Sequence, residues 1–213
     1  PLFLFGCVLT PGKFVSSLII NKDRSFTFAY KGEVIAVDPA SSMGDAMKDL
    51  GKPDEDASDE DKEAAKAAAD ERKAASETEE AKRKAMAEAL TKEAGYKSVV
   101  YQGDGKFLID YEMKGVLSHN FLFPFNSDAE VLIPFLTIEA RANGTVRVRA
   151  PGYAGEKENK GNNPMASGSN ADASKFLDGV FTLDTDAEIV SQNNEDGAKT
   201  VGARKQVIWK ANP

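Results

Sequence analysis

The sequence predicts an α+β fold: a mostly antiparallel β-sheet built from hairpins, with a long charged, alanine-rich helical insertion. Short runs rich in β-branched and aromatic residues recur along the chain, and turn sequences separate them. One long intervening segment consists almost wholly of Ala, Glu, Asp, Lys and Arg, most of which are strong helix formers. The chain of 213 residues is long enough for one domain with an appendage.

The composition excludes several classes of function. The net charge is −7, which argues against a nucleic-acid partner because phosphate neutralisation needs a basic face. A single Cys excludes an internal disulfide, and one Cys with one His excludes the common zinc ligand sets. We therefore expect neither a metal nor another cofactor.

The N-terminal residues predict a lipid anchor. Pro1 to Cys7 is an apolar run, and its Leu4-Phe5-Gly6-Cys7 end resembles a bacterial lipobox, in which the cysteine thiol is alkylated with diacylglycerol and the peptide is cut just before it. Residues 1–6 would then be a signal-peptide remnant. The alternative is an ordinary buried strand over residues 2–9 with Cys7 as a small hydrophobe. Thr10-Pro11-Gly12 predicts a break in the chain directly afterwards, which favours the lipobox.

Residues 7–38 predict the first hairpin of the domain. Phe14 to Ile20 and Phe26 to Val37 have strand composition, and Asn21 to Arg24 between them has turn composition. Alternation places one aromatic or aliphatic face of each strand towards a common core.

Residues 39–95 predict the helical insertion. Met43, Met47 and Leu50 form one stripe of a short amphipathic helix, and Met86 with Leu90 predicts that the last turns dock on the core. Residues 54–84 have almost nothing to bury, so that part projects, folds back or frays. It is either a partner-binding arm or a solvated, variable insertion, and the missing a/d stripe favours the second interpretation.

Residues 96–213 predict the rest of the α+β domain. Gly103-Asp104-Gly105 and Asn143-Gly144 are hairpin turns, and a flexible loop rich in Gly, Asn and Ser is expected at 152–174. The predicted strands are Ser98–Gln102, Lys106–Gly115, Leu136–Ala142, Thr145–Ala150, Gly179–Asp184, Glu188–Ser191 and Gln206–Lys210.

Three groups of residues are candidate sites, and each has a structural alternative. Phe121, Phe123, Phe125 and Phe135 would line a pocket for a hydrophobic ligand or would form core. Arg141, Arg147 and Arg149 would contact lipid headgroups or would lie on a solvated strand face with Glu139. His119, the only histidine, would pair with a carboxylate for acid–base work or bond to backbone as a loop residue. Since no nucleophile stands in a recognisable motif, we expect no catalytic residues.

Several segments resemble a family of alphaproteobacterial (sphingomonad-type) envelope lipoproteins. The resemblance is carried by residues 10–14, 23–36, 95–96, 103–107, 119–121, 123–125, 143–148, 150–153 and 185–194. It implies a lipidated envelope protein and no particular activity. A fainter likeness, in the closing Glu-Ile…Asn-Asn…Trp pattern, is to small lipoproteins thought to handle lipids, and it is an analogy at the level of the fold.

The sequence thus predicts a periplasm-facing lipoprotein held in the cell envelope by the lipid on Cys7. Val8 rather than Asp follows the cysteine, which favours the outer membrane over the inner one. Its role would be that of a structural or protein-interaction module with an envelope protein partner for the charged helix. The alternative is a binding module for a hydrophobic or lipid ligand between sheet and helices.

Overall fold

The computed structural model describes residues 8–37, 59–124, 134–154 and 176–212, and these form a mostly β structure with one helix. In chain order, the elements are β1 (Val8–Ile20), β2 (Ser25–Val37), α1 (Asp59–Leu90), β3 (Tyr96–Gly103), β4 (Lys106–Val116), β5 (Phe121–Phe123), β6 (Leu136–Ala140), β7 (Val146–Arg149), a 3-10 turn (Pro151–Tyr153), β8 (Asp178–Thr185), β9 (Lys199–Val201) and β10 (Arg204–Ala211).

The main sheet has seven strands in the order β3-β4-β2-β1-β8-β10-β9. All of its neighbouring pairs are antiparallel except β1 and β8, which run parallel in the middle of the sheet. The large, mostly antiparallel sheet confirms the α+β class at this coarse level, whereas the parallel central pair was not predicted.

A second sheet of three strands, in the order β5-β6-β7, covers one face of the main sheet. Strands β1 and β2 direct every second side chain towards this second sheet, as the sequence alternation predicted. The fully buried side chains of this core include Leu18, Phe28, Tyr30, Phe123, Phe135, Leu136 and Ile138. The rings of Phe28, Tyr30, Phe123 and Phe135 pack on one another tilted or edge to face, and Tyr30 also stacks on Phe14.

The chain break predicted at Thr10-Pro11-Gly12 is wrong, because these residues belong to β1. The pairing register between β1 and β2 shifts between Pro11 and Phe14, which marks a bulge. Proline is tolerated there because β8 begins to pair only at Lys13, so Pro11 has a β-neighbour on one side alone. Val8 and Leu9 are strand residues, as the buried-strand alternative expected for them.

The C-terminal part of α1 packs on β3 and the core. Ala87 is buried in the core cluster and Met86 packs against it, so Met86 docks as the sequence predicted. The helix ends at Leu90, and Gly95 precedes β3 with a positive φ of 92°, a backbone conformation that glycine adopts readily.

Three details of the C-terminal half differ from expectation. Glu188–Ser191 forms no strand, and the three-residue β9 was not predicted. The start of the loop expected at 152–174 is ordered, since Gly152 and Tyr153 belong to the 3-10 turn and Tyr153 is buried. The remainder of that loop, the predicted helix at Met43–Leu50, Cys7 and Phe125 lie outside the described residues.

Candidate functional site

The predicted ligand-lining phenylalanines lie where the second sheet meets the main sheet. Phe123 and Phe135 are fully buried, with ring centroids 6.0 Å apart. The ring of Phe123 also stands 4.7 Å from that of Tyr111 and 5.0 Å from that of Phe28. Each of these rings therefore has another aromatic ring in contact.

Phe121 is partly exposed at the margin of the same cluster. Its ring is 5.3 Å from that of Phe26 and 5.5 Å from that of Phe28. The structure thus places three of the four candidate residues in one aromatic cluster, and their ring contacts favour core packing over a vacant acyl-chain pocket.

The three arginines lie on the outward face of the second sheet, as predicted. Arg147 stands directly across from Glu139 in the strand register. Arg141 Nη2 and Arg149 Nη1 each lie 3.8 Å from a carboxylate oxygen of Glu139. These exposed ion pairs contribute about 0.2–1 kcal/mol each. One carboxylate against three guanidinium groups leaves this face with a local excess of positive charge.

His119 lies in the loop between β4 and β5 and is exposed. Its Nδ1 is 3.0 Å from the hydroxyl oxygen of the neighbouring Ser118. Among the described ion pairs, none includes His119, so the histidine–carboxylate alternative is not formed among them.

A polar clamp between α1 and the β3–β4 hairpin was not found by sequence reasoning. The Tyr101 hydroxyl donates to Glu80 Oε1 at 2.6 Å and accepts from the backbone N–H of Gly105 at 3.0 Å. Arg83 Nη1 donates to the same Glu80 oxygen at 3.2 Å. Burial, followed by the hydrogen bond to Glu80, raises the pKa of Tyr101. No local sequence signal marks this contact, because its members come from three separate elements.

The described surface also contains a groove of about 430 Å³ between the extended residues 189–192 and the β9 edge of the main sheet. Val190, Thr200 and Lys205 are among its lining residues. It includes none of the candidate site residues.

In the part of the chain that the structure describes, no group of three or more His, Cys, Asp or Glu side chains could hold a metal ion. Among the described helical residues, no segment is both long and apolar enough to cross a membrane. The chain matches no protein-family model, no curated protein and no solved structure.

Proposed function

We propose that this protein is a lipid-anchored lipoprotein of the bacterial cell envelope that faces the periplasm and acts as a structural or protein-interaction module without catalytic activity. The single observation that carries the proposal is the Leu4-Phe5-Gly6-Cys7 sequence at the end of an apolar run. The outer membrane is the favoured location, because Val8 follows the cysteine where a retention signal would have Asp.

The energetics of lipid anchoring support the proposal. Each buried acyl methylene contributes about 0.8 kcal/mol, and stable attachment takes at least two chains. A diacylglycerol thioether on Cys7 supplies two. The folded domain would follow at once, since β1 begins at Val8. The lipid would therefore hold the Val8 end of the main sheet close to the bilayer.

This arrangement bears on the role of the arginines. Arg141 lies in the β6–β7 turn, and a Cβ on Gly144 in that turn would be 3.9 Å from Nη2 of Arg24 in the β1–β2 turn. At about 3.3 Å per strand residue, β1 separates that turn from Val8 by roughly 40 Å. Contacts between Arg141 and the headgroups of the anchoring leaflet are therefore disfavoured when the strands stand upright on the membrane.

We propose the charged helix as the spacer or docking arm of the module, within a helical insertion at residues 39–95. The clamp formed by Tyr101, Glu80 and Arg83 supports this role, because it fixes the direction of α1 relative to the sheet. The sequence before the clamp carries many charges of both signs, and the side chains at 73–78 are exposed, as a docking surface for an envelope partner requires.

Metabolic labelling tests the anchor. Bacteria that produce the protein with its complete N-terminal leader would be fed an alkyne-bearing fatty acid, and the protein would be purified and coupled to a fluorophore. We expect the native protein to be labelled and membrane-bound, the Cys7→Ser variant to be unlabelled, and the Val8→Ala control to behave as the native protein. An unlabelled native protein would refute the proposal, as would a labelled Cys7→Ser variant.

Native mass spectrometry tests the module. The protein would be purified gently from an envelope fraction, and a clean apoprotein mass is the result expected for an interaction module. A reproducible added mass that solvent extraction removes would instead support a hydrophobic-ligand function, and Phe121, Phe123, Phe125 and Phe135 would then be the first residues to mutate.

A further inference from the structure

The face of the main sheet that points away from the second sheet, here called the outer face, is apolar at its centre. Val15 and Ile19 on the central strand β1 are 64 % and 41 % exposed, and Ile208 on β10 is 40 % exposed. Val15 stands beside Val180 in the register, and Thr182 of the same strand stands beside Ile208. These residues form a contiguous patch of aliphatic and small hydroxyl side chains across three strands.

Paired charges border this patch. Lys31 Nζ lies 3.5 Å from Asp110 Oδ2 on the β2–β4 side. On the other side, Arg204 donates to Asp184 between β10 and β8. The solvated face of an antiparallel sheet is ordinarily polar. An apolar centre with a polar rim is instead typical of protein–protein interfaces.

We propose that the outer face is a dimer interface whose occupant is a second copy of this chain. The apolar patch and its charged rim together cover five strands, β4, β2, β1, β8 and β10. With strands about 4.8 Å apart and some nine residues long at about 3.3 Å per residue, their footprint is roughly 700 Å². A stable interface buries about 800 Å² on each partner, so the outer face alone nearly suffices. A two-fold dimer also needs a surface that complements itself. A flat aliphatic centre meets this need, and the two charge pairs at its border, Lys31–Asp110 and Arg204–Asp184, are already formed within each copy.

The orientation of the dimer rests on the proposed lipid anchor. A face-to-face dimer has its two-fold axis between the sheets, either along β1 or across it. Only the axis along β1 directs both Val8 ends, and hence both Cys7 lipids, towards one membrane. The two sheets would then pack as an aligned sandwich, with strand directions within about 30° of one another.

Sedimentation velocity on the Cys7→Ser protein tests the interface without any lipid. We expect a species of twice the chain mass of 22.9 kDa at micromolar concentration. Val15→Glu should weaken dimerisation at least tenfold, because it places a charge in the apolar centre. Leu122→Glu is the matched control, since Leu122 is 42 % exposed on the second sheet at the opposite side of the molecule. A monomeric parent protein overturns the proposal, as does a Val15→Glu protein that dimerises as tightly as the control.

Cross-linking covers the case in which Val15→Glu fails to fold. Ser17 lies between Val15 and Ile19 on the outer face, so in the Cys7→Ser background the Ser17→Cys protein should be cross-linked into a dimer by a short bismaleimide. A bismaleimide is used because packed sheets stand about 10 Å apart, which a direct disulfide cannot span. A cysteine at Leu122 should not be cross-linked. Equal cross-linking at the two positions would contradict the proposed interface. These measurements use unlipidated protein, so they test the dimer interface separately from the lipid anchor. Either proposal can therefore fail while the other succeeds.

Discussion

Two glycines shape the centre of the core around Phe14. A Cβ at Gly32 would lie 2.3 Å from the carbonyl oxygen of Lys13, and one at Gly179 would lie 2.4 Å from the Phe14 ring. Neither position can hold a larger residue without movement of the backbone or the ring. The space they leave lets Phe14 stack between Tyr30 and Tyr153, at centroid distances of 5.6 and 4.4 Å.

A buried hydrogen-bond chain beside this stack gives a prediction at the residue scale. The Tyr153 hydroxyl donates to Ser16 Oγ at 3.1 Å, and Ser16 Oγ donates to the carbonyl oxygen of Ala29. Tyr153→Phe should cost about 1 kcal/mol, because Ser16 keeps its own acceptor. Ser16→Ala should cost about 1–3 kcal/mol, because it leaves the buried tyrosine hydroxyl without a partner.

Urea denaturation of the two single variants and the double variant measures this difference. The double variant should be more stable than Ser16→Ala alone, since it removes the unpaired hydroxyl. If the losses in the free energy of unfolding of the two single variants simply add in the double variant, the two hydroxyls are not coupled.

At the scale of elements, the attachment of α1 depends on the clamp to the β3–β4 hairpin. Glu80→Gln removes the charge that binds both Tyr101 and Arg83, so the last turns of α1 should open more often. We expect hydrogen exchange in the C-terminal half of α1 to rise severalfold, with little change in the main sheet. The control is Glu79→Gln, which affects only an exposed ion pair with Lys82, 2.7 Å long. Unchanged exchange in Glu80→Gln would show that apolar packing alone holds the helix.

The elements that the sequence predicted correctly are those with local signals. Strand alternation and the Asn143-Gly144 turn predicted the hairpins and the outward position of Arg141, Arg147 and Arg149. The parallel β1–β8 pair joins residues 165 positions apart and leaves no local signal. The two roles proposed for the phenylalanines could not be separated either, because core and pocket lining share one pattern.

The strand predicted at Glu188–Ser191 does not form, and the polar turn after it contacts β10 through side chains. Asn194 Nδ2 donates to the carbonyl oxygen of Ile208 at 2.7 Å, beyond the part of β10 that pairs with β9. The indole N–H of Trp209 donates to Asn193 Oδ1 at 3.2 Å. These two contacts fix the course of the polar turn, and no composition-based pattern predicts them.

At the scale of the whole molecule, the core contains most of the phenol groups of the protein. Each of the five tyrosines has a raised pKa, and burial is the largest cause in each case. The pKa of Tyr111 is raised to about 12 from an ordinary value of 10.0. In the unfolded chain the tyrosine hydroxyls ionise near pH 10. In the folded protein, burial keeps these hydroxyls neutral to a higher pH.

Alkali should therefore unfold this protein in one step. The stability that the neutral tyrosines provide is complete below pH 10, the ordinary value, and it is lost as the pH rises from there through the folded value, about 12 for Tyr111. Tyrosinate absorbance should appear together with the loss of the circular-dichroism signal, and both should shift to higher pH in Tyr111→Phe, which carries one such group fewer. Gradual tyrosinate formation centred on pH 10 in protein that keeps its folded spectrum would contradict this account of the core.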